Sequence, residues 1–394
     1  MEVDVESSKV SASNMGIVCE NIESGTTVAE PSMSPDTSNN SFDNEDFRGP
    51  EYDVEINTRK SANLDRMESS CREQRAACEL RKCSCPTSAV RIQYSILSSL
   101  APGSEGHVYI CTRYGDADQE KCIVKAVVGG KNPGREVDIL KTISHKSIIK
   151  LIHAYKWKNV VCMAMRVYRY DLFTYIDGVG PMPLQQMIYI QRGLLEALAY
   201  IHERGIIHRD VKTENIFLDN HENAVLGDFG AACQLGDCID TPQCYGWSGT
   251  VETNSPELSA LDPYCTKTDI WSAGLVLYEM AIKNVPLFSK QVKSSGSQLR
   301  SIIRCMQVHE LEFPRNDSTN LCKHFKQYAV RVRPPYTIPR VIRNGGMPMD
   351  VEYVISKMLT FDQEFRPSAK EILNMPLFTK APINLLNITP SDSV

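Results

Sequence analysis

The periodicity of apolar residues changes near Tyr170, and this change constrains the fold more than any other feature of the sequence. From Val90 to Met165, short runs alternate apolar and polar residues between Gly, Pro and Asn, which is typical of β-strands. Beyond Tyr170 the apolar spacing becomes helical, most clearly over Pro183 to Glu203 and Asp269 to Ile282. Strands followed by helices predict an α+β fold with a small β-rich lobe and a larger α-helical lobe.

The chain of 394 residues is long enough for one large bilobal domain with additional tails. We predict a disordered acidic N-terminal tail and linker over 1–88, the first lobe over 89–169, the second over 170–379 and a C-terminal tail over 380–394. The first 60 residues carry 13 acidic and 4 basic side chains without apolar periodicity, which is why disorder is expected there. Composition does not separate a merely solvated tail from a regulatory or partner-binding one.

Composition argues against several classes of protein. The net charge of -5 disfavours a protein that coats nucleic acid. The longest apolar stretches are near ten residues, so we expect no stable membrane insertion. The N-terminus lacks the basic start and apolar stretch of a signal peptide, which favours reduced thiols for the 14 cysteines. Cys71, Cys78, Cys83 and Cys85 lack the paired spacing of common zinc sites, so unpaired thiols in a mobile segment are favoured over a metal cluster.

The stretch from His208 to Asn215 carries the strongest chemical signal. Asp210, Lys212 and Asn215 fall within six positions. A carboxylate can receive a proton, a cation can hold transferring oxygens and an amide oxygen can hold a metal, a set that suits phosphoryl transfer onto a hydroxyl. Asp228 follows a predicted hairpin that returns it towards Asp210 and Asn215, and its position before Phe-Gly suits metal coordination.

The β-rich part contains residues that complement this set. A turn bearing Gly103 and Gly106 connects two predicted strands, where backbone amides can approach phosphates closely. Lys125 lies in the third strand and is either an exposed edge lysine or a cation for nucleotide phosphates. Glu136, on the following helix, is suited to pair with Lys125 and fix its position.

In their order and spacing these motifs resemble those of the eukaryotic-type protein kinase family, from about Ile92 to Phe378. The resemblance implies the bilobal kinase fold, with ATP and magnesium as cofactors. It implies that Asp210, Lys212 and Lys125 are catalytic and that Asn215 and Asp228 bind the metal. The residues implied to bind the nucleotide are Ala101, Gly103, Ser104, Glu105, Gly106, Val108, Lys125, Glu136, Met165, Arg166, Tyr168 and Asn215.

The same resemblance assigns supporting roles outside the nucleotide site. Glu257 is expected to pair with Arg366, and Asp269 to anchor the catalytic loop from a buried helix. Arg209, before the catalytic Asp, can meet a phosphate on the activation segment, for which Thr241 and Ser248 are candidates.

Substrate preference is also implied by the resemblance. The combination of Lys212 with Gly249-Thr250 resembles the pattern of serine/threonine kinases rather than that of tyrosine kinases. Glu214, Glu279 and Asp171 match positions that contact arginines in basophilic kinases, so we expect protein substrates with Arg-rich sites. An ordinary exposed carboxylate is the alternative for Glu214.

Some positions depart from the family pattern. Ala101 replaces the first Gly of the loop, and Glu105 stands where an aromatic residue is common. Glu136 follows Lys125 by only 11 positions. No catalytic group is lost, so an active enzyme is favoured over a catalytically weak pseudokinase-like scaffold.

A narrower resemblance is to the serine/threonine kinases that alphaherpesviruses encode in their short unique region. It depends on the acidic front, the degenerate Gly loop, the run from Asp228 to Ala232 and the run from Thr253 to Glu257. The resemblance implies viral and host protein substrates, and roles in nuclear egress, suppression of apoptosis and cytoskeleton remodelling. It implies a location in the host cytoplasm and host nucleus.

Overall fold

The structure is a computed structural model that describes residues 85–379, except 101–105, 117–118, 130–133, 180–181, 220–222, 236–241, 243, 247, 289–293, 332–341 and 343–345. These residues belong to one unit of the chain, Thr58–Val394. The acidic tail, Cys71, Cys78, Cys83, Thr241 and the C-terminal tail therefore lie outside the described residues, as does the Gly-rich turn up to Glu105.

The smaller lobe is an antiparallel sheet with two helices. Its strands follow the order β1-β2-β3-β5-β4. Their bounds are β1 Tyr94–Ser99, β2 His107–Arg113, β3 Lys121–Val128, β4 Leu151–Trp157 and β5 Val160–Arg166, and the helices are α1 Pro86–Val90 and α2 Arg135–Thr142. The prediction of a strand from Val90 is wrong at its start, because Pro86 opens a short helix there and pairing begins only at Tyr94.

The larger lobe is mainly helical. Its helices are α3 Leu172–Val179, α4 Leu184–His202, α5 Pro256–Ser259, α6 Lys267–Ala281, α7 Ser295–Met306, α8 Met349–Met358, α9 Ala369–Leu373 and α10 Pro376–Thr379. Its short strands are β6 Tyr170–Asp171, β7 Ile206–Ile207, β8 Ile216–Leu218, β9 Ala224–Leu226 and β10 Cys233–Gln234. Strands β6, β8 and β9 form one antiparallel sheet, and β10 pairs with β7. The long predicted helices and the hairpin that precedes Asp228 are thus confirmed to within a few residues.

Helix α6 forms the centre of the larger lobe. All but three of its 15 residues are buried, because its sequence is apolar around nearly the whole circumference. Helix α4 buries one face against it, with Leu194, Leu195 and Leu198 in the same core. This packing fixes Asp269, in the first turn of α6, beneath the segment that joins β7 to β8.

Shorter helical turns connect these elements. They span Thr213–Asn215, Phe229–Ala231, Val251–Thr253, Glu310–Glu312 and Lys326–Tyr328, with a single π-helical turn over Leu321–Phe325. The insertion-like stretch from 310 to 350 contains three of these turns. Among the described helices, none is both long enough and apolar enough to cross a bilayer.

Candidate active site

The segment from His208 to Asn215 is held from below by one buried carboxylate. Asp269 accepts hydrogen bonds from the backbone amides of His208 and Arg209, each at 2.8 Å, and lies 2.8 Å from His202 Nε2. Burial raises the pKa of Asp269, but its hydrogen bonds and the nearby histidines reverse that effect and hold the pKa below its usual range. The predicted anchor is therefore present, and His202 is an additional member that sequence reasoning missed.

Arg209 adopts the left-handed backbone conformation, with φ of 66°. This conformation is unfavourable for a residue with a Cβ, and the hydrogen bond from its amide to Asp269 offsets part of the cost. Its guanidinium donates to Ala231 O at 2.7 Å and to Tyr264 Oη at 2.9 Å. Contact of Arg209 with a phosphorylated side chain stays a prediction.

Asp210 is oriented by three neighbouring side chains. Asn215 Nδ2 donates to Asp210 Oδ2 at 2.9 Å and to its backbone oxygen at 2.8 Å. Thr250 Oγ1 donates to Asp210 Oδ1 at 2.7 Å, and Lys212 Nζ lies 2.8 Å from Thr250 Oγ1 and 2.9 Å from Asp210 Oδ2. A carboxylate held on both oxygens has a fixed direction, which suits a group that must meet one hydroxyl.

Gly249 permits the approach of Thr250 to this segment. It has φ of 71°, and a Cβ at this position would collide with the backbone oxygen of Arg209. Only glycine therefore allows the two backbones to lie so close. The contact of Thr250 with Lys212 depends on this local geometry.

Lys125 lies between two carboxylates in the cleft that separates the lobes. Its Nζ is 2.8 Å from Glu136 Oε2 and 2.5 Å from Asp228 Oδ1. Burial alone lowers the pKa of Lys125, but the charges of Glu136 and Asp228 outweigh burial and raise that pKa above its usual value. The lysine therefore stays protonated, and the prediction that Glu136 pairs with it is confirmed.

Asp228 is positioned by an uncommon backbone conformation. It has φ of 58°, and the next residue, Phe229, is fully buried and donates its amide to Glu136 Oε1 at 3.2 Å. The ring of His208 meets that of Phe229 edge to face, at 4.8 Å between centroids. These contacts turn the carboxylate of Asp228 towards Lys125. The Asp228 side chain remains 33% exposed.

The other predicted nucleotide residues lie on the strands of the smaller lobe and just after β5. Val108 is its partner across β2 and β3, and Met165 is buried at the end of β5. Arg166 is exposed, and Tyr168 stacks on Phe217 with 5.6 Å between ring centroids. Ala101, Gly103, Ser104 and Glu105 lie outside the described residues, so the turn itself stays a prediction.

Gly106, the last residue of that turn, is described. It has φ of 147°, and a Cβ there would lie 2.7 Å from Ala126 O on β3. Any side chain would force β2 away from β3. A glycine is therefore required directly beside the strand that carries Lys125.

A cleft of about 380 Å³ opens beside Lys212 and Thr250. Its lining includes three carboxylates, Glu214, Glu252 and Glu279. Asp171 is not among the lining residues; its oxygens accept from the amide and hydroxyl of Thr174 at 2.7 and 3.1 Å, and its contact with a substrate arginine stays a prediction. Glu252 was missed, although its position two residues after Thr250 could have indicated it.

Glu257 and Arg366 form a buried, two-pronged ion pair. Arg366 Nη1 lies 2.7 Å from Glu257 Oε1, and Nη2 lies 3.1 Å from Oε2. The guanidinium also donates to the backbone oxygens of Thr360, Phe361 and Lys267. The predicted pair is confirmed, and it fastens the end of the segment that begins at Asp228 to the larger lobe.

No metal-binding group of three or more His, Cys, Asp or Glu side chains exists within the described part of the chain. Cys85, the one described member of the N-terminal cysteine group, is a free thiol that contacts Ser88 Oγ at 3.0 Å. The predicted magnesium ligands are a different kind of site, a carboxylate and an amide: Asp228 contacts Lys125, and Asn215 contacts Asp210.

Comparisons with known proteins agree with this geometry. Residues 94–378 match the protein kinase domain family. The protein kinase US3 homolog of Gallid herpesvirus 2 is 71% identical over 299 residues, which cover 76% of this chain and 74% of that protein. The serine/threonine-protein kinase US3 of Human herpesvirus 1 is 42% identical over 291 residues, covering 72% of this chain and 60% of that protein. The US3 homolog of varicella-zoster virus is 38% identical over 296 residues, covering 73% and 74%.

Proposed function

The chain belongs to the protein kinase family, among the US3-type serine/threonine kinases of alphaherpesviruses, and from this we propose that it phosphorylates Ser or Thr hydroxyls in Arg-rich protein segments. The observation that carries the proposal is the acidic cleft beside Asp210. It brings Glu214, Glu252 and Glu279 next to Lys212 and Thr250, both of which contact the Asp210 carboxylate.

The donor set beside Lys125 fits ATP and magnesium. Asp228 offers a partly exposed carboxylate, and Asn215 uses its amide nitrogen on Asp210, which leaves its amide oxygen for a cation. Carboxylate and amide oxygens are the ligands that magnesium prefers. When bound, magnesium–ATP supplies the transferable phosphoryl group and neutralises charge on the phosphate oxygens.

The chain's own residues have distinct roles in this proposal. Asp210 orients the substrate hydroxyl and accepts its proton, and Thr250 and Asn215 hold the carboxylate in place for this. Lys212 stabilises the charge on the phosphoryl group being transferred. Lys125 binds phosphate oxygens, and its ion pair with Glu136 keeps it directed into the cleft between the lobes. Val108, Met165, Arg166 and Tyr168 border the adenine.

Charge complementarity supports the preference for arginine. A guanidinium carries five donors in a planar fork and stays protonated, so it matches a carboxylate better than an ammonium does. Three glutamates line the cleft, and Lys212 is the single cation among its lining residues. Lys212 is already in an ion pair with Asp210. The apolar side chains of Phe173, Leu275 and Phe288 in the same cleft reduce solvent screening of these charges.

We expect substitution of the cleft glutamates to reduce selectivity for arginine. Glu214→Gln, Glu252→Gln and Glu279→Gln each remove one charge while keeping size. A charge-assisted hydrogen bond is worth about 1.5–3 kcal/mol, so each change should lower kcat/KM for an Arg-rich peptide roughly 10-fold. The measurement is kcat/KM on Ser peptides that carry Arg, Lys or Glu on the N-terminal side of the target.

The matched control is Asp317→Asn, because Asp317 pairs with Lys326 on the surface without lining the cleft. This variant should keep the preference of the wild type. A Ser-to-Tyr exchange in the best peptide should abolish phosphorylation. Equal use of Arg and Glu peptides by the wild-type protein would contradict the proposal, and no turnover of any peptide would favour the scaffold alternative.

The cellular roles implied by the family resemblance are also part of the proposal. The kinase acts on viral and host proteins in nuclear egress of capsids, suppression of apoptosis and cytoskeleton remodelling, and it is present in the host cytoplasm and host nucleus. The 71% identity to the Gallid herpesvirus 2 kinase homolog supports this shared context. Imaging of a tagged chain in infected cells tests the location, and confinement to one compartment would contradict it.

A further inference from the structure

The hydroxyl of Thr213 lies between two of the glutamates that line the cleft beside Asp210. Its Oγ1 donates to Glu279 Oε2 at 3.0 Å and lies 3.3 Å from Glu214 Oε2, to which it also donates. Two carboxylate oxygens from different elements of the fold are therefore neighbours across a single hydroxyl oxygen.

Thr213 has a fixed position in the larger lobe. It is 1% exposed and opens the helical turn Thr213–Asn215. The amide of Ile216 donates to Thr213 O, and the side chain of Asn215 in the same turn donates to Asp210 Oδ2 at 2.9 Å. The hydroxyl is thus held at a set distance from the carboxylate that meets the substrate hydroxyl.

The two glutamates differ in their own support. Glu279 is partly buried on α6, the central helix of the larger lobe, whereas Glu214 is exposed on the segment from His208 to Asn215. Like charges at short range repel each other, and an exposed side chain can turn away into water. The shared hydroxyl of Thr213 keeps Glu214 beside Glu279 against that repulsion.

One hydroxyl has a single proton, so it cannot satisfy two carboxylates fully. A guanidinium has five donors in a planar fork and can pair with both carboxylates at once. An ammonium is a compact point charge that matches this arrangement less well. A pair of carboxylates held together therefore selects arginine over lysine more strictly than either carboxylate does alone.

We propose that Thr213 is a positioning residue for substrate selection. Its hydroxyl joins Glu214 and Glu279 into one site of two carboxylates, which distinguishes Arg from Lys at a single position of the peptide. This inference rests on the proposed function, phosphorylation within Arg-rich segments, and adds the residue that decides how strictly arginine is required. Thr213 acts through the two glutamates and not on the reacting atoms.

Glu252, the third glutamate of the cleft, is placed by different contacts. Gln298, fully buried on α7, donates its Nε2 to Glu252 O at 2.9 Å. Ser272 Oγ on α6 donates to the next backbone oxygen, Thr253 O, at 2.9 Å. Because these contacts hold the backbone of Glu252, its contribution to selectivity should not depend on Thr213.

The test compares Thr213→Val with Thr213→Ser in the purified full chain, since valine removes the hydroxyl and serine keeps it. The substrates are Ser peptides with one Arg or one Lys at each position on the N-terminal side of the target. We expect Thr213→Val to raise KM for the Arg peptide about fivefold at one position, where its preference for Arg over Lys should be lost. Thr213→Ser should keep the wild-type preference.

Thr213→Ala, which also removes the hydroxyl, should show the same loss of selectivity, and urea denaturation of each variant checks its fold. Equal losses for Arg and Lys peptides, or a decrease confined to kcat, would overturn the proposal. A Thr213→Ser variant that behaves as Thr213→Val does would also overturn it, because the hydroxyl would then not be the group that matters.

A double-mutant cycle separates this role from a general structural one. In Glu279→Gln the hydroxyl has only one carboxylate left to hold. Adding Thr213→Val to this background should therefore change the ratio of Arg to Lys use by less than about twofold. An effect of the same size in both backgrounds would contradict the assigned role of Thr213.

Thr142→Val is the matched control for loss of a threonine hydroxyl. Thr142 is exposed at the end of α2, where its Oγ1 donates to Ile139 O at 2.8 Å. This variant should keep the wild-type KM for every peptide. A wild-type protein indifferent to Arg would overturn the proposed function together with this inference, whereas a selective wild type with an equally selective Thr213→Val overturns this inference alone.

Discussion

Replacing Asp210 with Asn should decrease kcat by about 10²–10⁴-fold while the protein remains folded and still binds nucleotide. An amide cannot accept the proton of the substrate hydroxyl, but its oxygen can still accept from Asn215 Nδ2 and its nitrogen can donate to Thr250 Oγ1. The loss should therefore appear in kcat, with little change in KM for ATP. Initial rates on an Arg-rich Ser peptide measure the first effect, and nucleotide-dependent thermal shifts measure binding.

Asp317→Asn is the matched control for loss of a carboxylate. Asp317 is 80% exposed at its side chain and pairs with Lys326 at 3.2 Å on the surface. Its replacement should leave kcat unchanged. If Asp210→Asn retained kcat within about tenfold of the wild type, general-base catalysis by Asp210 would be wrong, because even a modest contribution of this kind exceeds that factor.

Residues whose neighbours are set by chain order were predictable from the sequence. Lys125 with Glu136 and Glu257 with Arg366 were both expected as pairs, and both are ion pairs in the structure. The hairpin before Asp228 and the buried helix at Asp269 each have a local pattern that specifies them. Chain order and local pattern together therefore gave the fold and most of the site.

Contacts that depend on side-chain direction were not predictable. Asp171 and Glu252 are both acidic residues near the cleft, but hydrogen bonds with Thr174 direct the first to a helix start. Only Glu252 lines the cleft. The bridge between Cys244 and Tyr264 likewise has no alternating pattern of its own. Such contacts require the tertiary structure, because no local periodicity encodes them.

The second large effect concerns stability. Glu257→Gln should lower the free energy of unfolding by about 3–5 kcal/mol, because it leaves a buried guanidinium without its counter-charge. The side chains of Arg366 and Glu257 are 0% and 2% exposed, and an arginine cannot escape by losing its proton. The ring of Trp271, 5.2 Å from the guanidinium, compensates only in part. Urea denaturation of both proteins at one pH measures the difference.

The control is Glu196→Gln, which breaks the surface pair with Lys146, at 2.9 Å and with 74% of the lysine side chain exposed. Water screens this pair, so the change should cost about 1 kcal/mol or less. Arg366→Met and the double variant complete a double-mutant cycle. The losses of unfolding free energy in the two single variants should add up to more than the loss in the double variant. Equal losses for Glu257→Gln and Glu196→Gln would contradict the prediction, because burial is the physical difference between the two pairs. A large loss at Glu257 alone would show that the segment beginning at Asp228 is fixed to the larger lobe by this ion pair.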